Sequence, residues 1–140
     1  MKVFISYAHT DEHLAEQVAH GLEENGLDVF LDEQQIMPGD NWAAKIAQGL
    51  QESQAMVVLL TRDALTSRRV RHDIDYALSN QDYSGRLIPV LAESKEALLK
   101  EDIPWILWHL KPITLTDHHQ EEGIRQIAQV LKTAPKTLSR

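Results

Sequence analysis

The chain predicts an open α/β sandwich, one parallel sheet of five strands with helices on both faces. Three observations carry that expectation. Five short runs of aliphatic and β-branched residues recur along the 140 residues, and between them lie stretches with helical spacing or turn chemistry. The run Ala55-Met56-Val57-Val58-Leu59-Leu60-Thr61 is apolar up to its last residue, as suits a strand covered on both faces at the centre of a sheet. Strands that alternate with helices select βαβ crossovers, and so a parallel sheet, over a meander or a bundle. The leading strand order is the flavodoxin-like 2-1-3-4-5, a three-layer sandwich.

Taken in order, Val3-Phe4-Ile5-Ser6-Tyr7 forms the first strand. His9-Thr10-Asp11 follows, then a helix whose Leu14, Ala15, Val18, Ala19 and Leu22 make one apolar stripe, and Asn25-Gly26 stops it. Strand two covers about 28–31. Asp32 to Gln35 are polar and cannot stay buried unpaired, so the strand ends at Asp32. Pro38 and Gly39 supply a turn, and Asp40 can cap a helix over 41–52 whose Ala43, Ile46, Ala47 and Leu50 fall at i, i+3, i+4 and i+7. A loop over 32–41 therefore sits at a strand's C-terminal end, the edge where open α/β sheets bind ligands. After the central strand, a single helix spans roughly 64–80 with Val70, Ile74, Ala77 and Leu78 on one side. Leu87-Ile88-Pro89-Val90-Leu91 makes strand four, and Pro89 keeps it from the middle of the sheet. Within 94–110 the residues Lys95 to Leu99 read as helical, and Pro104-Trp105-Ile106-Leu107-Trp108 suits a short helical turn. Ile113-Thr114-Leu115 is the fifth strand, and a last helix turns Ile124, Ile127, Ala128 and Leu131 inward. One domain over 1–134 with a frayed tail over 135–140 is expected.

Composition narrows the function. A formal charge of −7 disfavours a general nucleic-acid or anionic-membrane binder, with Arg68, Arg69 and Arg71 the one local exception. The absence of cysteine removes disulfides, thiolate zinc sites and a Cys nucleophile. Apolar runs are far too short to span a membrane, and Met1-Lys2 leads straight into a strand, so a cytoplasmic setting with no membrane partner is expected. His9 and His13 flank Glu12 in an order that does not make the zinc-protease motif, and no third ligand is evident, so no metal is expected. Neither a Gly-x-Gly-x-x-Gly nor a Walker loop occurs, which disfavours a hydride-transferring dehydrogenase and a P-loop ATPase. Thr61 stands where a phospho-receiver would need an aspartate. The strand order would bring Tyr7 to Asp11 and Thr61 to Asp63 to one crevice, with the 32–41 loop at its border.

Three segments in sequence, Val-Phe-Ile-Ser-Tyr at 3–7, Leu-Asp-Glu-Gln-Gln-Ile-Met-Pro-Gly-Asp-Asn-Trp at 31–42, and Ser67-Arg-Arg-Val-Arg-His-Asp-Ile-Asp-Tyr-Ala77, resemble those of a TIR (Toll/interleukin-1 receptor) domain of the bacterial stand-alone type. The resemblance covers nearly the whole chain. It implies one of two roles: an interaction module, or an enzyme that cleaves the nicotinamide glycosidic bond of NAD+ to ADP-ribose, a cyclic isomer or a transferred ADP-ribosyl product. In bacteria such an enzyme would serve immune, anti-phage signalling. NAD+ would then be substrate, with no separate cofactor.

The enzymatic relatives carry an essential glutamate on the third helix, within Ser, any residue, Trp, Val, two residues, Glu, Ile, two residues, Ala. Ser67, Val70, Ile74 and Ala77 match that pattern; Arg69 replaces the Trp and Asp73 replaces the Glu. Asp73 is thus the candidate catalytic carboxylate, shorter than glutamate by one carbon, about 1.5 Å. The alternative is a solvated helix residue paired at i, i+4 with Arg69. The resemblance also implies that Tyr7, His9, Asp32, Trp42 and Arg69 bind the dinucleotide. Each has a plainer reading: a strand end for Tyr7, a surface imidazole for His9, a loop-entry hydrogen bond for Asp32, a core or loop anchor for Trp42, a solvated charge for Arg69. As for partners, it implies homo-oligomers through TIR–TIR contacts of the 32–41 loop, where Ile36 and Met37 would be exposed, and a separate effector protein.

Overall fold

The computed structural model describes residues 2–31, 39, 42–80, 86–92, 103–110, 112–115 and 120–133. Five strands, β1 (Lys2–Ser6), β2 (Asp28–Phe30), β3 (Ala55–Leu60), β4 (Leu87–Leu91) and β5 (Ile113–Thr114), pair in parallel in the order β2-β1-β3-β4-β5. Every residue of β3 is buried, which is what its unbroken apolar run required of a central strand. Pro89 is accommodated by register. The Met56 N–H donates to the Arg86 carbonyl, and the Leu115 N–H donates to the Leu91 carbonyl. Alternate residues of β4 therefore bond to β3 and to β5, and Pro89 turns its missing N–H toward β5, whose pairing begins one residue later at Val90.

The helices are α1 (Glu12–Glu24, entered through a 3-10 turn at His9–Asp11), α2 (Trp42–Glu52), α3 (Arg62–Leu65), α4 (Arg68–Ser79), α5 (Trp105–His109) and α6 (Gln120–Thr133). Two cores form, one on each face of the sheet. Val3, Ile5 and Tyr7 of β1 point to a layer made with Ala15, Val18 and Leu22 of α1 and Ile127 and Leu131 of α6. Phe4 and Ala8 point the other way, to Ile46 and Leu50 of α2, Val70 and Ala77 of α4, and Leu107 of α5. Helix α2 reaches the sheet because residue 49 is glycine: a Cβ there would lie 2.6 Å from the Phe30 ring, itself stacked on Phe4 at 5.3 Å between centroids.

Two expectations need correction. The single helix over 64–80 is two, because the Ser67 hydroxyl accepts from the Val70 N–H at 3.2 Å and starts a new helix after the Thr66 turn. Leu78 does not join the inward side of α4; it is 45% exposed, and Asp73 takes a place on the buried face instead. Ala47, at helical spacing with Ile46 and Leu50, is exposed. Residues 95–99, the 32–38 part of the loop and the 135–140 tail lie outside the described residues. Among the described residues, no helix is long and apolar enough to cross a membrane.

Candidate active site

Strand alternation sends Ser6 to the same side as Phe4 and Ala8, into a layer otherwise built of hydrocarbon. Opposite it, α4 buries Val70, Asp73 and Ala77, at i, i+3 and i+7. The carboxyl group thus stands where an aliphatic side chain would pack. Ser6 and Asp73 answer each other: the Ser6 Oγ donates to Asp73 Oδ2 at 2.9 Å, with the two residues 1% and 2% exposed. Burying either group alone would cost several kcal/mol, roughly 2–7 for an unpaired polar group and more for a charge. This excludes the reading of Asp73 as a solvated residue.

One turn earlier on the same helix, Arg69 Nη2 donates to the Tyr7 carbonyl at 2.9 Å, and its guanidinium lies 5.5 Å from the centre of the Tyr7 ring. Adjacent residues of β1 therefore hold adjacent turns of α4. Asp73 and Arg69 share a cleft of about 540 Å³ between α4 and α2, whose other wall is Ile46, Ala47 and Leu50, with Tyr76 further along α4. Its lining is mainly hydrocarbon, with Arg68, Arg69 and His72 near the mouth carrying the basic groups. A carboxylate set in such surroundings interacts with a nearby positive charge more strongly than it would in water.

The ends of β1 and β3, which the topology was expected to open into a crevice, are tied across by hydroxyl–carboxylate bonds. Thr10 Oγ1 donates to Asp63 Oδ2 at 2.6 Å, and Thr61 Oγ1 donates to Asp11 while accepting from the Ala64 N–H at 3.1 Å. Thr61 thereby caps α3. Of the residues singled out from sequence, the fold brings Tyr7, Arg69 and Asp73 together. Tyr7 is buried beneath Arg69, and His9 is exposed in the 3-10 turn and is not among the residues lining the cleft. Asp32 lies outside the described residues, and of Trp42 only the backbone is described. Ser6 was missed, although its signal was present: a hydroxyl between Phe4 and Ala8 on one strand face has to meet a polar partner.

The family model for the TIR domain matches residues 3–130. The chain is a TIR domain. A curated relative, protein y4cD of Sinorhizobium fredii, is 35% identical over 69 residues, which are 49% of this chain. The matched segment makes up only 11% of that relative's length. Among solved structures, the TIR domain of the Toll-related receptor TRR-2 from Hydra magnipapillata superposes with a TM-score of 0.74 at 20% identity, covering 94% of this chain and 98% of the other. A TIR-STING receptor from C. gigas, solved with 2',3'-cGAMP, gives 0.76 at 22% identity over 94% of this chain and 39% of its own. The TIR domains of the activated Roq1 resistosome give 0.58 at 15% identity over 91% and 83%. At these identities the likeness is one of fold.

Proposed function

We propose that this TIR domain is an NAD+ nucleosidase that breaks the bond between nicotinamide and ribose, with Asp73 as the catalytic carboxylate. The observation that carries the reading is the placement of Asp73: a buried carboxylate, at the family's catalytic position in sequence, on the wall of an apolar cleft. The chemistry asks little of the protein. As the glycosidic C–N bond breaks, its electron pair goes to the pyridinium nitrogen and nicotinamide leaves as a neutral ring, so no general acid is needed. Positive charge develops on the ribose, and a fixed carboxylate beside it lowers the barrier or holds the ribose hydroxyls. Water then adds to the ribose, a proton goes to solvent, and ADP-ribose results; a nucleophile from the adenine gives a cyclic isomer, and another acceptor gives a transferred product. With Asp73 2% exposed, the ribose reaches it only as the side chains at the cleft mouth part.

The role we infer is immune signalling in a bacterial cytoplasm, with copies of the domain packed head to tail through the 32–41 segment. A heterologous contact of that kind can extend into filaments. Incubation of the pure protein with NAD+ and chromatography of the products should show nicotinamide release. Asp73→Ala should abolish it, on the order of a hundredfold or more, whereas Asp73→Glu should preserve or raise it. Absence of nicotinamide at high protein concentration and with crowding would end the enzymatic reading and leave an interaction module.

A further inference from the structure

We propose that Ser6 is a positioning residue of this site, setting the direction in which the Asp73 carboxylate is turned; the inference rests on the enzymatic reading above. Asp73 hangs from α4 by two rotatable bonds, and a carboxylate in an apolar layer takes whatever orientation its hydrogen bonds dictate. The Ser6 hydroxyl supplies one of them, from the sheet side, at 2.9 Å to Oδ2. Its position comes from β1, which pairs with β2 as far as Phe4 and with the central strand β3 through Ser6 itself, opposite Val58, so the sheet holds the donor in place. A side chain one carbon shorter than glutamate covers less distance, and small errors of placement are costly, about a hundredfold in rate for about 1 Å. The hydroxyl that fixes its tilt therefore matters more than it would for the longer acid. The rest of the same face, Val70 and Ala77 on α4 and Phe4 and Ala8 on β1, is hydrocarbon, so packing has no need of a polar pair here.

Ser6→Ala removes the donor with little change of volume, and Ser6→Thr keeps it. A hydrogen bond to a carboxylate favours the charged form, so its loss moves protonation of Asp73 to higher pH. In Ser6→Ala the acid limb of the kcat profile should rise by about one to two pH units and kcat should fall about tenfold or more, with KM within about twofold. Ser6→Thr should restore both the limb and kcat. Carboxyl carbon NMR of Asp73 in the wild type and in Ser6→Ala should show the same upward move without reference to catalysis. An Asp73 titration unchanged by Ser6→Ala overturns the role of Ser6 whatever the activity. Wild-type protein that releases no nicotinamide overturns the enzymatic reading, and with it the catalytic half of this one, even where the titration moves.

Discussion

Arg69 shows how a single side chain can hold a helix to the end of a strand. A planar cation that lies on the Tyr7 ring while bonding the Tyr7 carbonyl fastens α4 to β1 from a half-buried position. Arg69→Ala should lower stability by about 1–2 kcal/mol in urea denaturation, the sum expected for a charge-assisted hydrogen bond and a partly screened cation–π contact. Arg69→Lys should recover little of it, because an ammonium cannot stack flat and reach the carbonyl together. Of the site, the acid was legible in sequence and its support was not. Asp73 stood out because Ser67, Val70, Ile74 and Ala77 framed it in the family's spacing. Ser6 lies 67 residues away along the chain, and only the pairing of β1 with β3 and the packing of α4 bring the two to 2.9 Å. Neither propensity nor spacing carries that information.

Among the elements, close approach is set at glycines, helix to sheet at Gly49 and helix to helix at Gly21. At Gly49 an added methyl would meet three Phe30 ring carbons at 2.6–2.7 Å, a rigid aromatic already stacked on Phe4. At Gly21 it would meet the Ile124 Cγ2 at 2.6 Å and Cβ at 3.5 Å, part of a buried β-branched side chain that its own helix holds to one χ1 rotamer. Overpacking costs roughly 1–3 kcal/mol, and replacing a mid-helix glycine by alanine returns about 1. Gly49→Ala and Gly21→Ala should therefore both be destabilising, Gly49→Ala the more because three ring carbons are in the way, as a comparison of melting midpoints would show. Strand positions and order were readable because parallel strands buried on both faces leave long apolar runs with little else in them. The helix over 64–80 misled because neither glycine nor proline interrupts that stretch of sequence. What divides it is one hydroxyl, that of Ser67, accepting the Val70 N–H. Leu78 misled for a related reason: helical spacing grouped it with Val70 and Ala77, whereas those two are buried and Leu78 is 45% exposed.

For the whole molecule, net charge bears on the proposed assembly. Copies that each carry −7 repel one another at low ionic strength, and salt shortens that repulsion to about 10 Å at 0.1 M. If head-to-tail packing completes the site, nicotinamide release per molecule should climb with protein concentration and, over moderate ranges, with salt. Met37→Asp, in the segment the sequence marks for contact, should abolish that climb; release that stays proportional to protein at every concentration would show that one copy suffices. The two cores divide the labour of the fold. Ser6, Arg69, Asp73 and the cleft belong with α2 and α4, and the opposite face packs against α1 and α6. Exposed Glu16 and Glu23 of α1 and Arg125 of α6 are accordingly sound anchor points for a dye, a bead or a fused reporter. A tether there would leave the proposed reactive side unobstructed, which makes this rear surface the natural handle for testing turnover one molecule at a time.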